Sequence, residues 1–202
     1  MNFFIGGSPC SGKSTVCDAL ADRHKLRPYH CDDHYDAHLS RAHSGSSLAQ
    51  FQRLSWLEAF TTHSLERMIA DELKSNRELC AFALEDVGAI GSPVIAEGMP
   101  FMPDVMANLQ PRANAVYLVP SLAFQRDHYA QREWAQSLLA TTADPAGVFE
   151  RWMARDEANA RFIGARAAAL GFAVLEVDGR LSTEETVSWC ENHLGLPSKS
   201  QT

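Results

Sequence analysis

The chain has 202 residues, enough for one domain with a substantial core and seldom for two. Apolar residues make up 46% and charged residues 21%, a balance that excludes wholesale disorder and fibrous folds. Eighteen lysines and arginines against 25 aspartates and glutamates leave a net charge of −7, which argues against a broad nucleic-acid-binding surface.

In chain order, short apolar runs alternate with long amphipathic stretches. The first run, residues 2–5, predicts a strand, and residues 16–24 suit a helix. A second strand is expected at 27–31. From Leu48, the apolar positions Phe51, Leu54, Leu57, Phe60, Leu65, Met68, Ile69 and Leu73 recur at helical spacing and predict one long helix. Strands at 93–97 and 115–119 follow, then a second long helix over 145–170 and a fifth strand at 172–177. The last helix opens on the capping-box pattern Ser182-Thr183-Glu184-Glu185 and stops at Gly195. Most of the strands are continuously apolar, as parallel strands covered on both faces are. The expected architecture is therefore α/β, a three-layer sandwich around a five-stranded parallel sheet. It forms a single domain over 1–197 with a short polar tail at 198–202, expected to be mobile.

Between the first strand and its helix lies Gly7-Ser8-Pro9-Cys10-Ser11-Gly12-Lys13-Ser14-Thr15, which matches G-x-x-x-x-G-K-[ST] at every fixed position. Glycines let the backbone curl so that successive N–H groups face phosphate oxygens, and the helix N-terminus adds partial positive charge. In that cradle Lys13 is expected to bridge the β- and γ-phosphates, the Ser14 hydroxyl to complete the shell of a Mg²⁺, and Thr15 to face an α-phosphate. Cys10 is read as an inert small side chain, although a thiol near a helix N-terminus can have a lowered pKa.

The second strand runs out into His30-Cys31-Asp32-Asp33-His34-Tyr35 and the third into Glu97-Gly98. Ligands of open α/β sheets bind beyond the carboxyl ends of strands, so these carboxylates are expected beside the terminal phosphate. One can accept a proton from an attacking hydroxyl or hold water on a metal; helix capping by Asp32 or Asp33 is the simpler alternative. A transition-metal site built from His30, Asp32, Asp33, His34 and His38 is the weaker reading, because carboxylates at this position already have a Mg²⁺ to serve.

Together, residues 7–15, Asp32-Asp33-His34-Tyr35 and Glu97-Gly98 resemble the small P-loop kinases of the uridine kinase and nicotinamide riboside kinase type. The resemblance implies strand order 2-3-1-4-5, ATP and Mg²⁺ as cofactors, Asp32 as the proton-accepting base and a metal neighbour, Asp33 assisting metal or substrate, and Glu97 on the acceptor. It also implies a helical lid, roughly over 126–147, whose arginines Arg126 and Arg132 close on the triphosphate. Those two are six residues apart and would face different ways on one rigid helix. Residues 138–147 are expected to be a hinge or lid loop, Arg151 and Arg155 a second cationic pair, and Val177-Asp178-Gly179 the adenine edge. Shikimate- and gluconate-type kinases share this architecture, so the motifs specify the superfamily more firmly than the substrate.

Candidate acceptor contacts are Asp33, His34, Glu97, Arg53 and Trp56. The leading expectation is an ATP-dependent phosphotransferase acting on a hydroxyl of a nucleoside or sugar-like alcohol. A nucleoside monophosphate kinase, using Arg41 and Arg53, is one alternative. A nucleotide-binding switch or NTPase is another, although the N-K-x-D guanine signature is absent from the sequence. The expected partners are a nucleoside triphosphate and a small acceptor, with neither nucleic acid nor membrane, in a monomer or homodimer. The first five residues lack a basic start, no apolar run nears the ~20 residues of a membrane span, and five scattered cysteines show no CxxC spacing. These features suit a reduced, cytoplasmic protein.

Overall fold

A computed structural model describes residues 1–53, 56–91 and 93–197, without the side chains of 51–53 and 56. Five strands, β1 (Phe3–Gly7), β2 (Arg27–His30), β3 (Val94–Glu97), β4 (Asn114–Pro120) and β5 (Ala173–Val177), form one parallel sheet in the order β2-β3-β1-β4-β5. That is the expected order.

Alternation along each strand divides the core in two. Phe3 and Ile5 of β1, Ile95 of β3, and Val116 and Leu118 of β4 face α1 (Lys13–His24) and α10 (Thr183–Leu194), packing on Val16, Leu20, Val187 and Leu194. Phe4, Val94, Ala96, Ala115 and Tyr117 face the other way, onto α5 (Leu65–Ile90), α6 (Pro103–Ala107) and α9 (Pro145–Ala169). With helices on both faces, β1 and β3 are buried at every position and β4 at all but its first, which is why these central strands lack polar alternation. α10 carries the predicted capping box: Ser182 accepts from the Glu185 N–H while Glu185 returns to the Ser182 N–H, and Gly195 ends the helix at φ 67°.

The long helix expected from Leu48 is interrupted: α3 (Ser47–Arg53) and α4 (Trp56–Thr62) precede a break at His63 and Ser64, after which α5 begins. Hydrogen-bonding serines set the restarts. Ser64, at extended dihedrals, accepts from the Arg67 N–H and begins α5, while Ser46 accepts from the Ala49 N–H at α3. The start of α3 is held from across the fold, its Ser47 and Leu48 N–H groups donating to the Glu78 carboxylate at 2.9 and 3.1 Å. Periodicity alone does not see such breaks, because the apolar stripe resumes in phase. The predicted tail at 198–202 lies outside the described residues.

Candidate active site

β1 delivers the chain into the phosphate loop at Gly7, whose φ of +138° and neighbours admit no side chain: a Cβ there would stand 1.9 Å from the Leu118 carbonyl oxygen. Inside the loop the Ser8 carbonyl accepts from Ser11 Oγ and from Lys13 Nζ, both at 2.9 Å. Gly12, in the left-handed region, leads into α1, whose first turn has neither a side-chain cap nor an acidic residue. Its N–H groups are thus available to an anion. Ser8 Oγ is buried without a partner. Burial pushes the Lys13 ammonium down, and Glu97 and Asp32 act in the opposite sense. Burial raises the Cys10 thiol, in keeping with an inert reading.

Glu97 ends β3 one strand away from the loop and opposite His30 of β2. That register places its Oε1 where Ser14 Oγ donates at 3.0 Å and His30 Nδ1 lies at 3.0 Å; His30 Nε2 then reaches Asp18 at 3.1 Å. Burial opposes charge on His30, but the hydrogen bonds and charges of Glu97 and Asp18 outweigh it and raise its pKa. Glu97, expected on the acceptor, thus sits on the hydroxyl expected to meet the metal. Gly98 turns the chain away under Cys31: a Cβ there would lie 2.6 Å from the Cys31 side chain.

After β2 a single 3₁₀ turn, Cys31–His34, buries Cys31 and exposes both aspartates. Asp32 lines a cleft of about 520 Å³ that also takes in residues 9–15, Glu97 and Arg132. Asp33 and His34 do not line it; the His34 ring stacks on Tyr29, centroids 4.5 Å apart. The far wall is one the sequence reading missed: Tyr35 and His38 of α2 (Tyr35–Arg41), and Glu72, Ser75, Asn76 and Leu79 of α5. The available signal was that Ser75 and Asn76 interrupt the apolar stripe containing Met68, Leu79 and Cys80. The side chains of Arg53 and Trp56 lie outside the described ones. Among the described residues no three His, Cys, Asp or Glu side chains come together around a metal-sized space.

The segment expected to form the lid comprises two helices, α7 (Leu122–Ala130) and α8 (Glu133–Leu139), with Arg132 between them. Arg132 lines both the main cleft and a second one of about 450 Å³ bounded by Phe124, His128, Val177, Gly179 and Thr186. Arg126 does not join it, its guanidinium pairing with Glu150 above the Phe149 ring. The expected hinge is a tight corner, with Thr141 and Thr142 bonded back to the Leu138 and Leu139 carbonyls and Asp144 capping α9. Cys10, Tyr129, Ala135, Leu139, Trp152 and Met153 share one apolar cluster, so α8, α9 and the phosphate loop pack as a unit. Arg151 donates to the carbonyls of Phe60 and His63, and Arg155 is buried between Glu72 and Asp156.

The fold is that of a P-loop kinase. The chain is similar to shikimate kinase from Bacteroides thetaiotaomicron, with a TM-score of 0.58 and 15% identity over 97% of this chain and 99% of that one. It is also similar to shikimate kinase from Acinetobacter baumannii in complex with shikimate, with a TM-score of 0.54 and 14% identity over 96% and 93% of the two chains. Deoxyadenosine kinase from M. mycoides with bound dATP gives a TM-score of 0.53 and 13% identity over 96% and 100%. No family model matches the chain, and no curated protein matches it in sequence. No described helix is long and apolar enough to cross a membrane.

Proposed function

We propose that this chain is an ATP-dependent phosphotransferase that moves the γ-phosphoryl group onto a hydroxyl of a small metabolite. The observation that carries it is the contact between Ser14 Oγ and Glu97 Oε1 at 3.0 Å, with Lys13 beside it and Asp32 across the same cleft. The kinase fold of the structural neighbours supports the same reading. The Asp32-Asp33 and Glu97-Gly98 segments favour the uridine kinase type within that fold, on resemblance.

Ser14 and Glu97 offer adjacent oxygens, the donor set that suits Mg²⁺, and would hold it with Asp32 nearby. A bound Mg²⁺ supplies neutralisation of the β- and γ-phosphate charge. The phosphate loop binds the triphosphate through its N–H groups and Lys13. Asp32 receives the proton of the acceptor hydroxyl as its oxygen bonds to phosphorus and the bond from phosphorus to the β-bridging oxygen breaks, giving ADP and a phosphate monoester. Arg132, reaching both clefts, neutralises charge on the transferred group while α7 and α8 exclude water as a lid. The second cleft takes the nucleobase, between Phe124 and Gly179. Five free, buried cysteines favour a reducing compartment such as the cytoplasm.

The test is ADP release across a panel of hydroxyl-bearing metabolites, measured against the acceptor-free rate. Wild type is expected to respond to at least one acceptor and Lys13→Ala to none. Uniform background hydrolysis with every compound would instead favour a nucleotide switch.

A further inference from the structure

Among the described residues, the acceptor wall of the main cleft is polar and acidic and carries no cation of its own. Asp32, Tyr35, His38, Glu72, Ser75 and Asn76 form it. Lys13 is held at the loop by the Ser8 carbonyl, and Arg132 approaches from the lid side. Nearby arginines are already engaged: Arg41 with Glu85 and Asp86, and Arg77 with Asp104. Arg155 lies 3.4 Å from Glu72 and 2.7 Å from Asp156, so one guanidinium balances two carboxylates. The trio keeps a net negative charge behind the wall. An anionic acceptor placed here gives up its hydration, gains no described cation from this wall in exchange, and meets both this charge and Asp32.

A second observation points to what the wall does accept. Ser75 is 6% exposed and lines the cleft, and its Oγ has no hydrogen-bond partner. Buried hydroxyls are rarely left so, and this one can both donate and accept, which matches a ligand hydroxyl or amine. Asn76 beside it is anchored through Nδ2 to the Glu72 carbonyl at 2.9 Å, fixing the geometry of the pair.

Resting on the phosphotransferase reading, we propose that the acceptor is an uncharged or amine-bearing alcohol that hydrogen-bonds Ser75, and that the cleft discriminates against carboxylate and phosphate acceptors. The site thereby differs in charge preference from one that takes shikimate, itself a carboxylate, or a nucleoside monophosphate.

The experiment is ADP release by the wild-type chain with matched probes: glucose, glucosamine and gluconate; inositol, 2-deoxystreptamine and shikimate; adenosine and AMP. The proposal expects turnover with at least one uncharged or amine-bearing probe and background rates with gluconate, shikimate and AMP. In Ser75→Ala the KM of the active acceptor is expected to rise about three- to tenfold, with the KM for ATP unchanged. Turnover of an anionic probe overturns the proposal while leaving the kinase reading intact. No response to any probe, with ATP still bound, also overturns it, and so does an equal rise in both KM values in Ser75→Ala. Failure of the wild type to bind ATP is a distinct result that removes the phosphotransferase reading itself. The wild-type panel decides the charge preference even if the variant fails to fold.

Discussion

Gln125 Nε2, on α7, donates to the Pro9 carbonyl of the phosphate loop at 3.1 Å and so ties α7 to the loop. The side chain is fully buried, and its Oε1 has no partner. Gln125→Leu removes the tie and the orphaned oxygen together. The lost bond is worth about 1 kcal/mol, so the KM for ATP is expected to rise severalfold, while removal of Oε1 keeps the melting temperature within a few degrees. Steady-state kinetics and a thermal melt check both. An unchanged KM would show that loop and lid act independently.

The two carboxylates at the strand tips are expected to fail differently. Asp32→Asn should bind ATP normally and transfer ~10²- to 10⁴-fold more slowly, the usual range for loss of a general base. Glu97→Gln can still meet Ser14 and His30 but has no charge, so it should fold normally and need more Mg²⁺ for half-maximal rate. Nucleotide titration and Mg²⁺ dependence separate the two. Full transfer by Asp32→Asn would remove that residue from the mechanism.

Asp86 links β2, α2 and α5. Its carboxylate accepts from Tyr29 at 3.1 Å, lies 2.7 Å from His38 Nε2, and accepts from Arg41 at 3.0 Å. Burial raises its pKa, but the hydrogen bonds from His38 and Tyr29 and the charge of His38 outweigh that, leaving it below its ordinary 3.8. In acid the unfolded chain therefore takes up this proton first. The stabilisation is complete above pH 3.8 and is lost as pH falls through the lower native value. Asp86→Asn should be about 1–2 kcal/mol less stable at pH 7, and the gap should close in that acid window. Urea unfolding at several pH values measures it.

Two loop glycines make a contrasting pair. At Gly7 a Cβ would collide with the Leu118 carbonyl in the central strand pair, so Gly7→Ala should lose the folded state or more than about 4 kcal/mol. At Gly12 a Cβ meets nothing within 4 Å, and only the φ of +76° opposes it. Gly12→Ala should fold at a cost of ~1–2 kcal/mol. Circular dichroism melts of the two variants decide whether the loop is held by backbone packing or by dihedral preference.

The strands, the phosphate loop and the capped last helix were legible in the sequence because each is a local pattern. A continuous apolar run marks a strand covered on both faces, glycine spacing marks a backbone curl, and Ser182 with Glu185 marks a helix start. The tertiary structure decided everything that depends on pairing across the chain. Strand register put Glu97 opposite His30 and onto Ser14, a contact between residues 83 positions apart. A helix ended between Arg126 and Arg132 and sent them to different partners. The packing of α5 against the cleft turned Ser75 and Asn76 into its wall. Local sequence carries the periodicity of a side-chain face, whereas the object that face meets is set by long-range packing, and it is there that the chemistry of this site is assembled.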